Sequence, residues 1–118
     1  MLPKNYRLKN KYAFKATYKV NNVYYSDGIR LFVGIPKKNI EDFTKVGFVV
    51  SKKVHKRAVK RNRLKRLMRE SYRLILKSNE LGNTQKYLSL IFVGSSKVLD
   101  KNFKEIDNII KKLVNEVK

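Results

Sequence analysis

The chain has no cysteine, one histidine, two prolines, five glycines and only nine acidic residues among 118. Without cysteine it forms no disulfide, builds no thiolate metal site and carries no cysteine nucleophile. That composition suits a reducing cytoplasm. No apolar run approaches the roughly 18 residues of a membrane span, the longest being residues 88–93. The N-terminal MLPKNYRLKNKY is cationic like the start of a secretory leader, but no apolar stretch follows it. A cytoplasmic domain with no membrane partner is the expectation. The acids are scattered and His55 stands alone, so the clustered carboxylates or histidines of acid–base or metal-dependent catalysis are missing. Few prolines and glycines, no repeat and no low-complexity tract leave one continuous domain over residues 1–118.

What the chain has in excess is positive charge: 29 Lys plus Arg, for a net +20. Residues 1–19 hold six basic and no acidic groups, and residues 45–77 hold thirteen against Glu70 alone. These two segments carry 18 of the 20 net charges, which marks a polyanion-binding face rather than a general solubility surplus. Leu, Ile, Val and Phe supply 38 of the 118 residues, too many for a disordered basic tail.

The pattern predicts an α+β sandwich in the order α-β-β-β-α-β-α, with helices packed on one four-stranded sheet. Asn10 caps a short helix over residues 11–19, with Phe14 and Tyr18 at i and i+4. Ser26-Asp27-Gly28 turns a short strand at 23–25 into a longer one at 29–35, where Ile29, Leu31, Val33 and Ile35 face one way and Arg30, Phe32 and Gly34 the other. An apolar strand at 45–51 precedes a helix from about 57 to 77. Its inner face is Leu64, Leu67, Met68, Ser71, Leu74 and Ile75, opposite a stripe of Asn62, Arg66, Arg69 and Arg73. A strand at 87–93 follows, then a last helix capped by Asp100 with an apolar stripe from Phe103 to Val117.

Ser51 to Glu70, SKKVHKRAVKRNRLKRLMRE, is the most informative segment. A solvated helix face would interleave charge signs for i,i+4 pairs; here only Glu70 answers six cations. Six of the eight arginines lie between positions 57 and 73. Arginine offers the planar fork that binds phosphate and stacks on bases. A membrane-binding helix needs an exposed apolar face, whereas this one's apolar side covers the sheet. Nucleic acid is the indicated partner.

Ser51-Lys-Lys53, Arg57-Ala-Val59, Arg61-Asn-Arg63, Lys65-Arg66 and Arg69-Glu70 resemble the signature of the bacterial ribonuclease P protein family. Arg7-Leu8-Lys9 followed by Phe14 and Tyr18, the Val46-Gly47-Phe48 strand and the C-terminal helix match the family in order, so the resemblance spans the chain. It implies a topology similar to some ribosomal-protein domains, with a left-handed βαβ crossover around the basic helix. It also implies a protein that binds ribonuclease P RNA and assists removal of 5′ leaders from precursor tRNA. Phosphodiester hydrolysis, by water activated on magnesium, would belong to the RNA. The protein would then hold no catalytic residue or tight metal and need no obligatory protein partner. By the resemblance, Lys52, Lys53, Arg57, Arg61, Asn62, Arg63, Lys65, Arg66 and Arg69 contact the catalytic RNA, and Phe14, Tyr18, Arg30 and Phe32 hold the leader. Plain core packing is the competing reading for Phe14 and Tyr18. A ribosomal or general single-stranded-RNA-binding protein is the competing function. Two departures stand out: Gly34, where many members carry an aromatic, and Val54-His55-Lys56, where many have a glycine.

Overall fold

The computed structural model describes residues 2–118. Helix α1 (Lys11–Val20) is followed by strands β1 (Asn22–Ser26), β2 (Ile29–Val33) and β3 (Lys45–Val49). Helix α2 (Ala58–Lys77), strand β4 (Ser89–Gly94) and helix α3 (Phe103–Glu116) complete the expected order. The strands form one sheet in the order β1-β2-β4-β3. β4 pairs antiparallel with β2 and parallel with β3, because α2 carries the chain from the end of β3 back to the start of β4.

Pleat parity sorts the sheet's residues. Leu31 lies opposite Phe92, and Val46 and Phe48 opposite Leu90 and Phe92, so these side chains share one face. Helices α2 and α3 close that face. Phe92 stacks on Phe48 with centroids 5.7 Å apart and rings 9° from parallel, and Tyr72 meets both rings edge-on. Burial pushes the Tyr72 phenol above its ordinary range, so it stays neutral and accepts a hydrogen bond from Gln85 Nε2 at 3.3 Å. Among the described residues no buried side-chain nitrogen or oxygen lacks a partner.

Several boundaries differ from the sequence expectation. β2 ends at Val33, and Ile35 is exposed instead of extending the buried row. The inner face of α2 is rotated toward Tyr72, which is fully buried, while Leu74 is exposed; the pull is the aromatic contact with Phe48 and Phe92. The last helix is capped by Asn102 rather than Asp100. Asn102 Oδ1 accepts from Glu105 N–H at 2.9 Å, and Glu105 returns the bond to Asn102 N–H in a capping box. A 3₁₀ turn at Ser96–Val98 moves the helix start past Asp100, which pairs with Lys60 at 3.2 Å instead.

The N-terminal segment is anchored as well. Arg7 forms a parallel bridge with Val46, and Leu8 N–H donates to Val46 O at 2.9 Å, covering the free edge of β3.

Candidate RNA interface

Two surfaces carry the expected site residues. The first is α2 with the loop that leads into it. Lys52, Lys53 and Arg57 are exposed on that loop, and Asn62 and Arg66 are exposed on the helix. Lys65 and Arg69 are half-exposed, the Arg69 guanidinium lying 6.0 Å from the Phe48 ring centroid. None of these cations has an acidic partner among the described residues. Glu70, the only acid nearby in sequence, is taken by Arg73 at 2.6 Å. That hydrogen bond holds the Glu70 carboxyl below its usual value, so it does not neutralise the rest of the stripe.

Arg61 and Arg63 behave differently. Arg61 Nη1 donates to the carbonyls of His55 and Lys56 at 2.8 and 3.0 Å, tying the loop to the helix. His55 itself accepts from Arg57 N–H through Nδ1 at 3.0 Å, a turn-stabilising role. Arg63 reaches across to Leu99 O and Lys101 O at 3.2 and 3.1 Å, fixing the segment that precedes α3. Both arginines use part of their donor forks on the protein's own backbone.

The second surface is the opposite face of the sheet, crossed by α1. Thr17 is buried, donates to Ala13 O at 2.7 Å and shares a 2.6 Å hydrogen bond with Ser89 Oγ. This pair pins the helix to β4. Gly34 lies against Ser89, and a side chain there would clash with the Ser89 hydroxyl; an aromatic is incompatible with this Thr17–Ser89 lock. Phe14 lies over Gly47, where a Cβ would sit 2.5 Å from its ring, so Phe14 is half-buried against β3. Tyr18 is more open and meets Phe32 edge-on at 4.8 Å and 82°. Burial raises the Tyr18 phenol above its ordinary value, which leaves the hydroxyl a neutral hydrogen-bonding group. Arg30 is exposed on the same face, two residues from Phe32.

The structure therefore places Phe14, Tyr18, Arg30 and Phe32 on the α1 side of the sheet, with Tyr18 against Phe32 and Phe14 over Gly47. It adds Tyr25, exposed and paired across from Arg30, with Lys97 Nζ 3.5 Å from its hydroxyl. The alternation of Val23 and Tyr25 carries that signal, but it needs the hairpin register to be read. A groove of about 400 Å³ lined by Tyr25, Arg30, Ser51, Val54 and Lys97 runs from Arg30 on this face to the basic loop. Among the described residues no group of three or more His, Asp or Glu could hold a metal ion, and no helix is long and apolar enough to cross a membrane.

A cationic helix and an open sheet face with aromatic rings beside a guanidinium define an α+β domain suited to phosphate on one surface and unstacked bases on the other. The Ribonuclease P family model matches residues 2–118, and the chain belongs to that family. It is 33% identical over 111 residues to the ribonuclease P protein component of Clostridium kluyveri, covering 94% of this chain and 93% of that one. The Clostridium novyi ribonuclease P protein component is 34% identical over 113 residues, with 96% and 94% covered. The Staphylococcus aureus RNase P protein structure superposes with a TM-score of 0.76 at 25% identity, covering 95% of this chain and 94% of that one. The RNase P protein from Thermotoga maritima shares the fold at 20% identity, with a TM-score of 0.74 over 95% and 97% of the two chains.

Proposed function

We propose that this protein component of ribonuclease P docks on the catalytic RNA through the loop and outer stripe of α2, and holds the 5′ leader of precursor tRNA in the cleft beside α1. Arg30 supports this reading: it lies on the same sheet face as Phe32 and also lines the groove that reaches Ser51 and Val54 of the basic loop, so a single strand on the aromatic face is led toward the RNA-docking helix. Unstacked bases meet Tyr18, Phe32 and Phe14 with little sequence demand. Phosphates meet Arg30 and the unpaired cations of the loop.

Phosphodiester hydrolysis is assigned to the RNA, where bound magnesium would activate the attacking water; the protein's residues bind, orient and screen. The +20 charge offsets RNA phosphate repulsion that magnesium otherwise offsets. The protein's effect should therefore be greatest where magnesium is scarce. The natural setting of the assembly is the cytoplasm, where precursor tRNA is made.

Addition of the protein to the catalytic RNA at low magnesium should raise the rate of precursor cleavage, with little effect at high magnesium. No stimulation at any magnesium or salt concentration would overturn the proposal in favour of a general single-stranded-RNA-binding protein. Cleavage by the protein alone would overturn the assignment of chemistry to the RNA.

A further inference from the structure

α1 divides the open sheet face in two, and the Tyr18–Phe32 pair lies on one side of it. On its other side the helix presents Ala13, Ala16 and Val20 to a pocket of about 510 Å³. The pocket's far wall is the exposed side chains of Ile35 and Phe43, with Asp42 and Lys45 at its edge. This pocket shares Leu8, Ala13, Phe43 and Lys45 with a second one of about 630 Å³, whose rim carries Lys4, Arg7 and Lys9.

From this geometry we infer a second RNA site: an unpaired nucleotide of the catalytic RNA inserts its base here, with its phosphates on Lys9 and Lys45. The inference rests on the ribonuclease P reading above. Phe43 is about half exposed, yet it does not hang free: Tyr6 meets its ring edge-on at 4.8 Å and 75°. Tyr6 is in turn held beside β3 by the Arg7–Val46 bridge. A fixed ring with an open face, above an apolar pocket of ligand size and beside lysines, is a stacking platform with an electrostatic rim. Asp42 supplies an acceptor for a base amino or imino N–H.

Charge chooses the occupant. A second copy of a chain carrying +20 is repelled, and the rim favours a polyanion. Position chooses the RNA. The pocket lies at the Lys45 and Ser89 ends of β3 and β4, whereas Arg30 on the leader side lines a groove toward Ser51 and Val54 at the opposite ends. The buried Thr17–Ser89 bond closes passage beneath α1. A leader strand that follows the Arg30 groove runs away from the pocket, while a large folded RNA can contact both sides.

The test is equilibrium binding of purified protein to the catalytic RNA alone. Binding to precursor tRNA with and without its leader is measured alongside. Phe43→Ala should weaken binding to the catalytic RNA about tenfold. Phe43→Leu, which keeps the apolar bulk, should weaken it similarly, and Phe43→Trp should restore it. Binding of Phe43→Ala and Phe43→Leu to the catalytic RNA at the parent's affinity would overturn the inference and leave the ribonuclease P reading intact. A loss confined to leader-bearing precursor would overturn the assignment to the catalytic RNA. A parent protein that does not bind the catalytic RNA would remove both readings.

Discussion

The two faces of the sheet are made by alternate residues of the same strands, and they do opposite work. Leu31 is fully buried beneath α2 and α3, while its neighbour Phe32 is half-exposed beside Tyr18. Phe92 sits in the aromatic core, whereas Val93 lines the groove that leads to the basic loop. One face is closed by two long amphipathic helices. The other is crossed by a single ten-residue helix that leaves room on both sides. Under the proposed function, a small domain thus separates stability from binding by a one-residue step along a strand, and an open-face residue can change without opening the core.

Leu31→Ala should break the closed face. A fully buried leucine replaced by alanine costs about 3 kcal/mol, from lost burial and the cavity left behind. Thermal unfolding should fall by more than 10 °C, and RNA affinity should be kept wherever the protein remains folded. Next in size is Arg63→Ala, which strands the Leu99 and Lys101 carbonyls and removes charge-assisted bonds, at a cost of about 2 kcal/mol in stability. Arg63→Lys should not rescue it, because a point charge does not span both carbonyls. In a salt titration of RNA binding, Arg66→Ala should lower the slope by about one, while Arg63→Ala leaves it nearly unchanged. Equal slopes for the two variants would break the distinction between clamping and docking arginines.

Much of this division can be read in the sequence, because strand alternation and helix periodicity report burial directly. The i,i+4 pair of Phe14 and Tyr18, and the step from Leu31 to Phe32, set these rings apart from the core before any tertiary contact is known; their leader role comes from the family resemblance. The roles of Arg61 and Arg63 cannot be read that way. Arg61 turns back to the His55 and Lys56 carbonyls of its own loop and Arg63 reaches carbonyls 36 and 38 residues away, and a guanidinium bound to a carbonyl leaves the same sequence trace as one awaiting phosphate. Tyr72 reads as a polar-edged flank of α2 until Phe48 and Phe92 are seen beneath it. The helix cap lies between these cases: Asn102 with Glu105 three residues on is a capping box in plain sequence, and Asp100 is a strong competitor only while the 3₁₀ turn before it is unknown. Phe43 lies in a loop, where periodicity carries no information, so its place beside α1 emerges only from the fold.

The central claim is that the open face recognises the leader, and Phe32→Ala tests it most directly. The measurement is the dissociation constant of the assembled ribonucleoprotein for precursor tRNA carrying its leader and for the same tRNA without it. Loss of one stacking ring should weaken binding of the leader-bearing form roughly five- to tenfold, with the mature form unchanged. An equal loss for both forms, or none for either, would contradict the account.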